Sequence, residues 1–333
     1  MTRLIQIKKG NTRRVALVQE PQLRLLGGCT SIYTLANSAI ASGMKLSEAV
    51  RQRITQDALD YDDVYNLKSE WHVLPAMDHP EDFARCLVSG TGLTHLGSAC
   101  SRQNMHSAVE EVETDSMKMF RWGVEGGRPK PGEIGTPPEW FYKGNGMILR
   151  AHGEPLERPA YAEDGGEEGE VAGVYVIDPH GHPVRVGMTT GNEFSDHRFE
   201  KKNYLNLAGS KLRNCSIGPE LVIDPEFQSV SGKVVIERDA KVLWSRQIKT
   251  GEAEMCHSLQ NMEHHHFKFE GHRRPGDVHV HFYGADSLSF GEGIELFDGD
   301  IMQVSFTGFG RALRNPLRTA KTSSALIEIR SLG

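Results

Sequence analysis

The chain has 333 residues, a formal net charge of −6, a pI near 6.2 and a hydrophobic share of 38%. This mild acidity gives no basic face for nucleic acid or for an anionic membrane, and no apolar run approaches a membrane span. Five scattered cysteines without a CxxC pair, and an N-terminus with no signal-peptide core, point to a reduced cytoplasmic setting with no disulfide framework.

Residues 4–8 and 14–18 alternate as short strands. Over 31–60, Ala36, Ala39, Ile40, Met44, Leu46, Ala49, Val50 and Ile54 recur with a helical period, and Gly43 marks a break. His79-Pro80 opens a connection, and 86–92 is a strand running into a glycine loop. The expected division is therefore a small α+β domain at 1–85 and a second domain at 86–333. An amphipathic helix is expected over 101–123, broken near Asp115. The run Trp140-Phe141-Tyr142-Lys143 then enters the sheet core. Strands dominate afterwards, at 171–177, 184–190, 218–223, 232–238, 241–246, 277–282 and 301–306. Strands that do not alternate regularly with helices give an α+β, β-rich class and argue against a doubly wound sheet.

The chemistry concentrates at Glu168, Glu170 and Glu193. Glu168 and Glu170 share a strand face because side chains alternate with period two. The segment Asp178-Pro179-His180-Gly181-His182-Pro183 is a turn by composition. A regular hairpin centred between His180 and Gly181 places residue 193 opposite 168, which brings three carboxylates to one face. Such a cluster repels itself unless a cation or protons neutralise it. Oxygen donors without Cys or His suit Mg²⁺, Mn²⁺ or Ca²⁺ rather than zinc, and three of them leave positions open for water or substrate. On spacing alone a solvated strand edge remains the alternative, and a register slip of one residue would turn Glu193 to the other face.

Two histidine groups carry less weight. His264-His265-His266, taken as strand residues, would point to alternate faces, and His279 and His281 share a face with no third partner nearby in sequence. Both groups are expected to be structural. Glycine-rich pieces such as Gly90-Thr91-Gly92 precede neither a Walker lysine nor a dinucleotide helix.

Several phrases, in order over roughly 86–315, resemble the fumarylacetoacetate hydrolase superfamily. They are the Glu168/Glu170 strand, Gly187-Met188-Thr189-Thr190-Gly191-Asn192-Glu193-Phe194-Ser195-Asp196, Phe141-Tyr142-Lys143-Gly144, Cys215-Ser216-Ile217-Gly218-Pro219-Glu220-Leu221, and the turns Gly276-Asp277 and Gly299-Asp300. The resemblance implies a mixed β-sandwich roll, a Mg²⁺ or Mn²⁺ site on Glu168, Glu170 and Glu193, a 2-oxo acid substrate and a homodimer. Glu193 stands where the family has aspartate. The His–Glu pair that activates water in the hydrolases falls on Ser98 and Ser101, and His95 falls on a tyrosine position. Gly284 and Ala285 occupy the place of a late Gly-Thr-Pro turn and are the substrate-binding candidates there.

The missing water-activating pair, with the phrases Gly92-Leu93-Thr94-His95-Leu96-Gly97-Ser98-Ala99, Glu139-Trp140-Phe141-Tyr142-Lys143-Gly144 and Gly191-Asn192-Glu193-Phe194-Ser195-Asp196-His197, is similar to a sugar-acid branch of that superfamily. This branch holds dehydratases of 2-keto-3-deoxypentonates, including the 2-keto-3-deoxy-D-arabinonate type. The implied reaction is loss of water from such an acid, through a metal-stabilised enolate, to give 2-oxoglutarate semialdehyde in pentose degradation. Lys143, flanked by aromatics, is the candidate to steady the enolate or the substrate carboxylate, against the ordinary fate of a surface lysine. Ser98 and His95 are candidates for proton handling or hydroxyl binding, and equally fit a turn. Arg102 or His106 would bind the substrate carboxylate, or sit on a solvated helix face. Ser195 and Asp196 would orient Glu193, or cap a turn. The alternatives to a dehydratase are an acylpyruvate or diketo-acid hydrolase on the same site, with His95 or His106 as water's base, and a non-catalytic sugar-acid-binding protein.

Overall fold

The computed structural model describes residues 1–95, 114–321 and 326–333. Among the described residues the strands are, in chain order, β1 (Thr2–Lys9), β2 (Thr12–Gln19), β3 (Gln22–Leu26), β4 (Ile54–Asp60), β5 (His72–Val73), β6 (Cys86–Gly92), β7 (Glu139–Asn145), β8 (Leu149–Arg150), β9 (Leu156–Arg158), β10 (Gly169–Ile177), β11 (Pro183–Asn192), β12 (Cys215–Ile223), β13 (Val230–Arg238), β14 (Lys241–Thr250), β15 (Val278–Phe282), β16 (Ile301–Phe306) and β17 (Leu313–Thr319). The large sheet runs β4-β3-β2-β1-β12-β11-β10-β15-β6-β7, with β5 on β1 and β8 on β12. A second sheet runs β14-β13-β16-β17-β9. The N-terminal strands join the large sheet where Leu4 pairs with Leu221.

The residues of β10 are all buried, so its two sides must each face a core. Ala172, Val174 and Val176 enter one apolar cluster with Val280, Phe282 and residues Ile32, Leu35 and Ala36 of helix Ile32–Ala41. Val171 enters the other, with Met188, Val222, Val234, Val304 and Phe306, which fills the space toward the second sheet. The α+β, strand-rich architecture expected from the sequence is what the chain adopts.

The helical reading of 31–60 holds for Ile32–Ala41 and Leu46–Arg51 but fails at its end, where β4 pairs antiparallel with β3. Ile54 continued the helical spacing, yet pairing with a neighbouring strand outweighs local propensity. The helix expected over 101–123 is described as Asp115–Gly126, with Thr114 Oγ1 accepting from the Met117 N–H as its N-cap. The rest of that expected helix lies outside the described residues. His264–His266 belong to helix Leu259–Phe267, not to a strand.

The β10–β11 hairpin sets the site. Asp178 Oδ1 accepts from the backbone N–H groups of His180 and His182, each at 2.8 Å, and Gly181 takes φ 82° to close the turn. At the turn Ile177 pairs with Pro183, and a regular ladder from there would set Glu168 opposite Asn192. A β-bulge intervenes: Val174 pairs with Gly187 and Tyr175 with Arg185, leaving Val186 as the extra residue. Beyond it Gly169 pairs with Asn192, and the Glu193 N–H donates to the Glu168 carbonyl at 2.9 Å. The expected opposition of 168 and 193 is therefore present, but it is restored by the bulge rather than inherited from a regular hairpin.

Several histidines are buried and neutral. His152 donates from Nε2 to the Tyr65 carbonyl at 3.0 Å and stacks on the Tyr65 ring, and burial pushes its pKa down to about 4. The unfolded chain takes up this proton below pH ~6.5, whereas the folded chain refuses it until near pH 4, so this group's stabilisation is lost as pH falls through that window. His152→Gln should remove that dependence. Between pH 7 and 5 the unmodified protein should lose about 2 kcal/mol more than the variant in urea unfolding, and parallel pH profiles would refute the assignment.

Candidate metal and substrate site

Glu168 stands just before β10, Glu170 on it, and Glu193 just after β11. All three are buried, and one carboxylate oxygen from each lies within 4.8 Å of the other two. Lys143 reaches them from β7, where Phe141 and Trp140 flank it, and is itself buried. Its Nζ pairs with Glu193 Oε1 and donates to the Phe194 carbonyl at 3.0 Å.

A second lysine, which the sequence reading passed over, lies closer to the centre. Lys211, at the end of helix Leu207–Lys211, donates from Nζ to Glu168 Oε1 at 2.5 Å, Glu193 Oε2 at 2.8 Å and Ser195 Oγ at 3.1 Å. The same ammonium lies 4.7 Å from the centroid of the Phe141 ring. His197 places Nε2 3.1 Å from the same Glu168 oxygen. His197 closes a phrase already singled out, but Lys211 ends a five-residue helix with no recognisable pattern around it.

The three carboxylates are not equivalent. Burial disfavours the charge on Glu168, but Lys211 and His197 outweigh it and hold the carboxyl well below its usual range. Glu170 is pushed well above that range by burial, then by repulsion from Glu193 and Glu168. Its hydrogen bond comes from the Gly284 N–H, at 2.7 Å to Oε2. Glu193 is raised as well, by burial and by Glu168, against the pull of Lys143 and Lys211. Burial would discharge Lys211, yet Glu168 and Glu193 push its pKa up, so it stays an ammonium.

Gly284 has φ 101°, and a Cβ there would come within 2.0 Å of Thr94 Oγ1. The close backbone approach that delivers its N–H to Glu170 thus requires glycine. Ala285 follows, buried. Ser195 touches Glu193, donating to its backbone carbonyl at 2.8 Å and to its carboxylate at 3.1 Å. Asp196 instead caps helix His197–Lys202, accepting from the Phe199 N–H at 3.0 Å, and also accepts from the Glu163 N–H at 2.9 Å.

His95 is buried with both ring nitrogens engaged by hydroxyls, Thr94 Oγ1 at 2.8 Å and Thr250 Oγ1 at 2.9 Å. Thr94 spends its own hydrogen on the Tyr283 carbonyl, so His95 Nδ1 donates and Nε2 accepts from Thr250. Burial lowers its pKa to about 4. This geometry fastens the end of β6 to β14 and leaves no lone pair aimed at a substrate. Ser98, Arg102 and His106 lie outside the described residues. A cavity of about 420 Å³ reaches Glu168 and His197, with Lys201, Asn203 and Tyr204 on its lining.

The donor set fits a hard divalent cation. Among the described residues, three carboxylates meet two ammonium groups and the His197 ring, and Glu170 is the member without an ammonium in salt-bridge contact. A divalent ion would hold Glu170 in its charged form, which burial and the neighbouring carboxylates otherwise oppose.

No protein-family model and no curated protein sequence matches the chain. Solved structures do. A 2-keto-3-deoxy-D-arabinonate dehydratase complexed with magnesium and 2,5-dioxopentanoate aligns at TM-score 0.70 and 18% identity, over 96% of this chain and 100% of that one. A 2-hydroxyhepta-2,4-diene-1,7-dioate isomerase from Mycobacterium marinum aligns at 0.59 and 15% identity, over 97% and 100%. A 5-carboxymethyl-2-hydroxymuconate delta-isomerase from Mycobacterium smegmatis aligns at 0.55 and 15%, over 96% and 100%. The chain therefore has the fold of these enzymes along nearly its whole length, the architecture that the sequence phrases implied.

Proposed function

We propose that the protein is a divalent-metal-dependent lyase that dehydrates a 2-keto-3-deoxy sugar acid. The observation that carries this reading is the buried cage of Glu168, Glu170 and Glu193, in which Glu170 has no ammonium in salt-bridge contact among the described residues. The fold shared with a dehydratase complexed with magnesium and 2,5-dioxopentanoate supports it. That compound is 2-oxoglutarate semialdehyde, the product expected from the sequence. The resemblance to isomerases fits as well, because proton removal beside a 2-oxo group serves dehydration and isomerisation alike.

In this reading Glu168, Glu170 and Glu193 hold Mg²⁺ or Mn²⁺. When bound, the ion supplies chelation of the substrate's carboxylate and 2-oxo oxygens and so makes the C3 hydrogen acidic. The residues do the rest. The Gly284 N–H and Ser195 fix the rotamers of Glu170 and Glu193, so the cage is in place before substrate arrives. Lys211, held as an ammonium by Glu168 and Glu193, attracts the charge that grows on the 2-oxo oxygen and cannot itself take a proton. Lys143 steadies Glu193 from the other side. The C3 base is a different group, and Ser98, Arg102 and His106 stay candidates for handling protons and binding the substrate.

Purified protein with Mg²⁺ and 2-keto-3-deoxypentonate should release 2-oxoglutarate semialdehyde. Absence of turnover with both enantiomers would end this reading, pyruvate release from an acylpyruvate would replace it with hydrolysis, and metal-dependent binding without conversion would favour a sugar-acid-binding protein. Glu170→Gln makes a sharper test of the cage. It should abolish turnover and Mn²⁺ binding yet stabilise the metal-free protein by about 1 kcal/mol or more in urea unfolding, since it removes a buried carboxyl that its neighbours keep from ionising. A variant that still binds Mn²⁺ normally would show that the ion sits elsewhere.

A further inference from the structure

The large sheet carries a second cluster of ligand-type side chains, on the face opposite the carboxylates. Glu170 lies on the face of β10 shared with Ala172 and Val174, whose partners across to β15 include Val280 and Phe282. His279 and His281 alternate with those residues and point the other way. Over that other face lies helix Leu259–Phe267, and the turn Glu270–Arg273 follows it. One ring nitrogen from each of His266, His272 and His279 lies within 4.8 Å of the other two. His266 and His279 are fully buried, and His272 is half-buried at the outer side.

The hydrogen bonds of these rings fix where each hydrogen sits and which nitrogens keep a lone pair. His272 Nδ1 donates to the His266 backbone carbonyl at 2.6 Å, which puts its lone pair on Nε2. A backbone carbonyl holding one imidazole nitrogen while the other is left for a ligand is the arrangement that orients metal-binding histidines. Trp140 Nε1 donates to His266 Nδ1 at 3.1 Å, so the His266 hydrogen sits on Nε2 and goes to His279 Nδ1 at 2.9 Å. That puts the lone pair of His279 on Nδ1, facing His266 Nε2, and its hydrogen on Nε2, a buried donor that a cation at Nδ1 leaves untouched. His281 takes no part, being held by Ser89 Oγ at 3.1 Å and Thr91 Oγ1 at 2.6 Å. Burial and mutual repulsion keep His266 and His279 neutral, the form that ligates metals.

We propose that His266, His272 and His279 form a second cation site, for a borderline divalent ion such as Zn²⁺ or Co²⁺, that clips helix Leu259–Phe267 and the turn after it to β15. Three imidazoles suit these ions and not the Mg²⁺ or Mn²⁺ assigned to the carboxylates. Zinc–nitrogen distances of about 2.0–2.1 Å require the ligand nitrogens to draw in by roughly 1 Å, and the half-exposed turn carrying His272 is the part that moves. His266 then keeps its hydrogen on Nδ1, with Ser89 Oγ at 3.4 Å, and the Trp140 N–H turns away. Trp140 thus competes with the ion for His266 and should report its arrival.

The test uses the full chain, stripped with chelator and titrated with Zn²⁺ by calorimetry in excess Mg²⁺, which occupies the carboxylates. One equivalent of Zn²⁺ should bind, with a change in tryptophan emission and a rise in melting temperature. Co²⁺ should give the visible spectrum of a low-coordinate nitrogen site. His272→Ala, at a half-exposed position, should weaken Zn²⁺ at least about tenfold, and Trp140→Phe should tighten it. Glu170→Gln should leave it unchanged, which keeps this site's failure separate from that of the carboxylate cage. His182→Ala controls for the exposed pair His180 and His182. The proposal is overturned if no Zn²⁺ binds in excess Mg²⁺, if His272→Ala binds it as before, or if His182→Ala or Glu170→Gln removes it.

Discussion

Glu168, Glu170 and Glu193 are held within 4.8 Å of one another in a buried place, where like charges at that spacing repel by about 3–4 kcal/mol per pair at an effective dielectric of about 20. Two lysines, a histidine and one backbone N–H answer that repulsion from four different elements. Neither lysine pairs with Glu170, so the compensation is deliberately uneven in effect: two carboxylates are tied down and the third is left to whatever cation and anion enter together. A site with every carboxylate paired to an ammonium would gain little from a divalent ion. A site with three unpaired carboxylates would gain more but would strain the fold without it. One carboxyl kept from ionising is the intermediate case, in which the ion would restore a charge that the fold does not bear without it.

The cage exists because of a local irregularity. Val186 is one residue too many for its ladder, and that residue turns Glu193 back to the side of Glu168. The bulge occupies the middle of the hairpin, so the turn and the site can each keep the register that their own residues demand. Asp178 and Gly181 fix one end through the turn, while the Glu193 N–H to the Glu168 carbonyl fixes the other.

Period-two patterning made most of the sheet legible: β1, β2, β6, β10 to β16 and the facing of Glu168 and Glu170 all follow from residues close in sequence. The errors share one cause, which is pairing or packing with distant segments. β4 extends a helical spacing but is captured by β3. On a strand the three consecutive histidines cannot converge, whereas helix Leu259–Phe267 turns His266 toward His279, thirteen residues on. Lys211 could not be anticipated, because nothing around it marks burial; only the fold brings a lysine from a short helix between two glutamates.

β15 connects the two clusters. Its Val280 and Phe282 lie in the core on the carboxylate side, its His279 faces the imidazoles, and the chain leaving it supplies the Gly284 N–H to Glu170. Oxygen donors on one face and nitrogen donors on the other would sort ions by hardness, so loading one site need not empty the other. An ion among the histidines would bind β15 to helix Leu259–Phe267 and thereby narrow the motion of the segment that positions Gly284. Because Gly284 has no room for a side chain and reaches Glu170 only through its backbone, the orientation of that carboxylate depends on how firmly β15 is held. Rigidity supplied on the far face would thus reach, through the five residues of β15, the carboxylate that has no ammonium partner among the described residues.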